Sequence, residues 1–145
     1  MTNTIKLTAI ALTATFGLAI AAAAQDAAGT QPAAPTLPPA STKQGVTYAT
    51  DIKTILDASC AKCHSGDKPK ARLKLDSLEN ALKGSKDGPI LKSGDSANSF
   101  VVKSIAHLTS DHDTWMPPLN NKAGIKPLTP EQIGLIRAWI DQGAK

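Results

Sequence analysis

Cys60-Ala61-Lys62-Cys63-His64 is the stretch on which the reading of this chain turns. It has the pattern C-x-x-C-H, the attachment site of a c-type haem. Two thiols separated by two residues can reach one edge of a flat macrocycle as thioethers. The histidine that follows then falls beneath the centre as the proximal iron ligand. These are the only cysteines in 145 residues, so neither is left for another task. Competing readings of a C-x-x-C pair fit less well. A zinc site needs further ligands; no second cysteine pair exists, and the interval before His107 and His112 is far too long for a Cys2His2 arrangement. A thioredoxin-like dithiol needs a βαβ context, which the pattern lacks. A disulfide across two residues would be strained.

The N-terminus agrees with haem attachment outside the bacterial inner membrane. Residues 1–24 read as a secretory signal: Lys6 is the one charge, Leu7 to Ala24 is uncharged, and Ala22-Ala23-Ala24 supplies small residues for cleavage. The expected location is periplasmic or otherwise exported. An uncleaved signal would instead act as an N-terminal membrane anchor. No cysteine follows the run, which argues against a lipoprotein anchor. Residues 25–45, with Pro32, Pro35, Pro38 and Pro39, read as an extended, disordered Ala/Pro-rich linker that buries little.

Residues 46–145 make one small domain. Tyr48, Phe100, Trp115 and Trp139 are its only large aromatics, so its core is modest and a buried haem would complete it. The haem-free form is expected to be loose or unfolded. Ile52, Ile55 and Leu56 mark a first helix over Tyr48–Asp57, capped by Thr47 or Thr50 and leading into Cys60. Asp76-x-x-Glu79 resembles a capping box for a short helix stopped by Gly84. Phe100, Val101, Ile105 and Leu108 fit a third, starting near Ser96 or Asn98. Thr129, Pro130 and Gln132 open a fourth, with Ile133, Ile136 and Ile140 as its ridge and Gly143 at its end. No segment alternates long enough to make a strand, so the predicted class is all-α, with about four helices around the haem.

The second axial ligand has three candidates: Met116, His107 and His112. Met116 is the only methionine after the signal. It precedes Pro117-Pro118, whose fixed dihedrals forbid helix and stiffen the loop that would present the thioether. His107 could instead face the core, and His112, flanked by Asp111 and Asp113, reads as a surface residue.

Several of these features come in a recognisable order. Cys60 to His64, Leu73-Lys74-Leu75-Asp76-Ser77, Gly88-Pro89, Gly94-Asp95, Met116-Pro117-Pro118 and Ala138-Trp139-Ile140-Asp141-Gln142-Gly143-Ala144 together resemble the planctomycete-type cytochrome c domain over residues 46–145. The resemblance implies a class I-like fold with one covalent haem c, Cys60 and Cys63 as thioethers, His64 proximal and Met116 distal. It also implies that Trp139 packs where the first and last helices cross. Lys74 stands where the family often has Arg, and Ser85 where a second glycine is common. A propionate contact at Lys74 would therefore be a point charge rather than a planar fork. Such domains often sit inside larger proteins; this chain is expected to be a free-standing version.

The formal balance of 16 basic and 12 acidic residues becomes 15 − 12 = +3 once Lys6 leaves with the signal. Lys62, Lys68, Lys70, Arg72 and Lys74 cluster beside the motif. They form either a solvated loop or a basic rim that steers an acidic redox partner. Nucleic acid is not an expected partner. The expected function is one-electron transfer between redox donor and acceptor proteins, with no catalytic residue. The alternatives are an electron-donating subunit of a larger oxidoreductase, or a ligand-binding or peroxidase-type protein with a displaceable methionine.

Overall fold

A computed structural model describes residues 35–145. The expected signal, 1–24, and residues 25–34 of the expected linker lie outside the described residues. The helical order begins with a π-helical turn, Tyr48–Ile52, which passes directly into α1, Lys53–Ser59. Then come α2, Leu78–Lys83; α3, Phe100–Ile105; and α4, Pro130–Asp141. Short 3-10 turns occupy Lys70–Arg72 and His112–Thr114. Among the described residues no strand forms, only an isolated bridge between Ser85 and Gly88, in line with the all-α reading. None of their helices is long and apolar enough to cross a membrane.

Local chemistry accounts for most of the helix ends. Thr47 caps the first segment by accepting from the Thr50 amide (3.3 Å). Thr129 and Gln132 form the expected capping box on α4, with Pro130 in the first turn. Two expected starts move. Ser77, not Asp76, caps α2, accepting from the Asn80 amide (3.2 Å). Asp76 instead takes the Asn80 side chain (2.8 Å), and Glu79 pairs with Lys83 (2.8 Å). Ser99 precedes α3 without capping it, because its hydroxyl donates to the Asp95 carbonyl (2.9 Å) and accepts from the Lys92 amide (2.8 Å). Gly84 ends α2 at φ +81°; a Cβ there would lie 2.4 Å from the Gly88 carbonyl oxygen.

The core joins the first and last helices. Ile52, Ile55 and Leu56 are buried together with Ile133, Ile136, Trp139 and Ile140 of α4. Tyr48 and Trp139 meet with ring centroids 6.0 Å apart. The Lys145 carbonyl accepts from both the Tyr48 amide and the Trp139 indole (2.9 Å each), and the Tyr48 hydroxyl donates to the Leu75 carbonyl (3.1 Å). One tyrosine thereby ties α1, the chain's end and the 73–75 segment into a single frame. Residues 35–45 are extended and lie along α4. The Ser41 amide donates to the Gly134 carbonyl (2.8 Å), Arg137 donates to the Pro38 carbonyl, and the Gln142 side chain donates to the Lys43 carbonyl (2.8 Å). Leu37 packs against the core.

Candidate functional site

The motif is built by the end of α1. The Cys60 amide continues the helix onto the Leu56 carbonyl (2.8 Å). The amides of Cys63 and His64 then fold back onto the Cys60 carbonyl (3.0 and 2.9 Å), closing a tight turn. Two more bonds clamp it from outside: Lys70 to the Cys63 carbonyl (3.0 Å) and Leu75 to the His64 carbonyl (2.8 Å). The pentapeptide is therefore a rigid corner, fixed mainly through its backbone, which leaves its side chains free for chemistry.

Both cysteines are free thiols, Cys60 buried and Cys63 half-buried. Burial pushes the Cys60 thiol up to about 11, with neighbouring Cys63 adding to the effect. At neutral pH Cys60 is thus a neutral thiol, unlike the low-pKa thiolate of a dithiol redox centre. Among the described residues no group of three or more His, Cys, Asp or Glu side chains comes together as a metal cage. His64 is 7% exposed. Burial lowers its pKa, and the nearby backbone of Lys70 and Leu73 opposes that shift only in part. The imidazole is held neutral, the form that ligates metals. Its Nδ1 has no hydrogen-bond partner among the described residues.

His64 and Cys60 line a cavity of about 240 Å³. Its wall is largely aliphatic and draws on every helix: Ile52 and Leu56, Ala81, Val101 and Ile105, Ile136 and Trp139. The 73–75 segment contributes by alternation. Leu73 and Leu75 line the cavity, while Arg72 and Lys74 line a shallow surface pocket with Asp67, Asn80 and Lys83. Lys74 therefore lies on the face of its segment away from the cavity. Two consecutive non-glycine residues with positive φ, Ala71 (52°) and Arg72 (54°), make the turn that starts this alternation.

Met116 reaches the same cavity from the opposite part of the chain. Its amide donates to the Ser104 carbonyl at the end of α3 (3.1 Å), and its peptide bond to Pro117 is cis. The other two candidates are placed elsewhere. His107, at φ +56°, stacks on Trp115 with centroids 4.9 Å apart and planes 4° apart. His112 lies against the same indole at 4.1 Å. Neither belongs to the cavity wall, and neither does Cys63. The indole itself is fixed by a hydrogen bond to the Thr109 carbonyl (3.1 Å). Sequence reasoning missed this clasp, because nothing in the spacing of His107, His112 and Trp115 marks them as mutual neighbours. It missed Ser104 too, a buried polar residue on the wall that lies inside an otherwise ordinary helical stretch.

The residues fit a covalent haem. An apolar cavity takes the macrocycle, a neutral imidazole with an orphaned ring nitrogen stands at one side, and an unbonded thiol opens onto it. Residues 60–120 match the family model described as Planctomycete cytochrome C. No curated protein and no solved structure matches the chain. The matched stretch begins at the first cysteine of the motif and runs past Met116, and over it the chain is similar to a planctomycete-type cytochrome c domain.

Proposed function

We propose that the protein is an exported monohaem c-type cytochrome that carries single electrons, with His64 and Met116 as axial ligands and Cys60 and Cys63 as thioether anchors. The supporting observation is that Met116, distant in the chain from Cys60 and His64, lines the same apolar cavity as they do, whereas His107 and His112 do not. The haem, when bound, supplies an iron that alternates between ferrous and ferric states. The chain's own residues do the rest. The clamped turn at 60–64 fixes the imidazole, the Pro117-Pro118 loop holds the thioether, and the aliphatic wall excludes water. Thioether ligation raises the reduction potential relative to a second nitrogen, as suits a carrier. Two filled axial positions leave no site for a substrate. The basic residues Lys62, Lys68, Lys70, Arg72 and Lys74 flank the motif and favour an acidic donor or acceptor.

The optical spectrum of the exported protein tests this reading. The reduced form is expected to show a c-type α-band, and the oxidised form the weak far-red band of iron–thioether ligation. Met116→Ala is expected to lose the far-red band while keeping the covalent haem. A Met116→Ala spectrum identical to wild type would remove Met116 as the ligand.

A further inference from the structure

Two polar atoms on the cavity wall are buried without a hydrogen-bond partner among the described residues: His64 Nδ1 and Ser104 Oγ. The first belongs to the haem motif. Nothing assigned so far uses the second. Ser104 is 4% exposed, and a buried hydroxyl left unpaired forfeits its hydration without return. A helical serine ordinarily avoids this by bonding back to the carbonyl one turn earlier; Ser104 does not. The exception is specific. The other buried serines are satisfied, Ser96 on Asp141 (2.9 Å) and Ser99 on the Asp95 carbonyl (2.9 Å). So are the other hydroxyls on the wall, Ser85 on the Gly88 carbonyl (3.4 Å) and Thr114 on the Asp111 carbonyl (2.6 Å). Ser104 is also bonded to Met116 through the backbone, since its carbonyl accepts the Met116 amide (3.1 Å). The unpaired hydroxyl and the thioether are thus held on the same wall by a shared anchor.

We propose that Ser104 is a positioning residue for Met116: its hydroxyl donates a hydrogen bond to the Met116 sulfur when that sulfur faces the haem iron. The inference rests on the His64/Met116 reading above. A thioether is a weak acceptor, but on a largely apolar wall few better ones compete for the proton. The bond has two consequences. It restrains a flexible side chain in its ligating rotamer. It also draws electron density from the sulfur, so the sulfur donates less to the iron and the ferrous state gains relative to the ferric.

The test uses the full, haem-loaded protein. Ser104→Ala is expected to retain the far-red iron–thioether band but to have a lower midpoint potential. A hydrogen bond's net worth of about 0.5–1.5 kcal/mol corresponds to roughly a 2- to 10-fold fall in the ferrous-to-ferric ratio at fixed ambient potential. Ser104→Thr, which keeps the hydroxyl, is expected to restore the wild-type value. A merely structural serine would leave the potential where it was. An unchanged potential in Ser104→Ala, or a Ser104→Thr potential matching that of Ser104→Ala, overturns the proposal. If Ser104→Ala fails to mature, Ser104→Cys supplies a near-isosteric but weaker donor, and an unshifted potential there is equally fatal. Met116→Ala separates the two readings. If it loses the far-red band while Ser104→Ala shows no shift, only the role of Ser104 fails. If it keeps the wild-type spectrum, the ligand assignment fails and Ser104 falls with it.

Discussion

Gly134 shows what a single residue can hide. It sits inside α4, between the ridge residues Ile133 and Ile136, where glycine costs about 0.5–1 kcal/mol relative to alanine. The ridge itself was legible from its 3.6-residue period. The glycine was not, because its cause is a non-local contact. The 35–45 segment crosses α4 so closely that a Cβ at 134 would lie 2.7 Å from the Pro39 carbonyl oxygen. Two effects oppose each other in Gly134→Ala. Helix propensity favours alanine by about 1 kcal/mol. Overpacking against a backbone carbonyl, which has no rotamer to retreat into, costs about 1–3 kcal/mol. Overpacking wins, so the haem-loaded variant is expected to be less stable by roughly 1 kcal/mol and easier to cleave by protease within 35–45. Denaturant titration and limited proteolysis read both effects. A variant more stable than wild type would show that the segment does not approach the helix as closely as described. The Cys60–His64 motif stands at the opposite extreme, since its pattern is written in residue type and short spacing and not in a distant neighbour.

At the scale of elements, caps were read well where one side chain has one local job and poorly where it has several. Thr129 has a single role and was found; Ser99 is drawn to Asp95 and Lys92, and the start of α3 shifted with it. The Leu73-Lys74-Leu75 alternation carried a period-two signal, but three residues are too few to declare a wall. The junction of the 35–45 segment with the first helical turn is an electrostatic version of the same crowding. The Asp51 carboxylate accepts from the Thr47 amide (3.0 Å), from the Thr50 hydroxyl (2.7 Å) and from the Lys43 ammonium. These contacts, Lys43 first, hold its pKa at about 2, below the ordinary 3.8. The pKa is lowered in the fold, so the unfolded chain binds the proton first as pH falls. The stabilisation is complete above about pH 4 and is lost between about pH 4 and pH 2. Asp51→Asn is therefore expected to flatten the fall in melting temperature over that window relative to wild type. Melting curves of the haem-loaded proteins from pH 5 to pH 2 check it, and parallel slopes would rule the junction out as an acid-labile point. Because Glu79, Asp95 and Glu131 also have lowered pKa values, a residual slope is expected in the variant.

For the molecule as a whole, the all-α class followed from what the sequence lacks, namely any long alternation. The packing of residues 35–45 did not follow from composition. A Pro- and Ala-rich stretch with few large side chains reads as a spacer, yet this one is held largely through backbone groups, at Pro38, Ser41 and Lys43, which composition does not encode. The same distinction governs the core. The apolar stripes of α1, α3 and α4 read from their period pack into one core, but several of their residues, Leu56, Ile105, Ile136 and Trp139 among them, also line the cavity. A void of about 240 Å³ at about 24 cal/mol per Å³ costs on the order of 6 kcal/mol, an upper figure for a cavity that opens to solvent. Small domains keep only about 5–15 kcal/mol of net stability, so the unfilled chain stands near its limit. Filling the cavity with a covalently held apolar plate removes that cost and cannot be undone by dilution. A Cys60→Ser/Cys63→Ser double variant, which cannot form the thioethers, is expected to keep helical far-ultraviolet dichroism when freed of haem. It is also expected to bind a hydrophobic dye and to melt over a broad range, the signature of secondary structure without fixed packing. The loaded wild type is expected to melt in one sharp transition at higher temperature. If the haem-free double variant melts just as sharply and within a few degrees of the loaded protein, the helices close on themselves and the cavity is not what sets the stability of this fold.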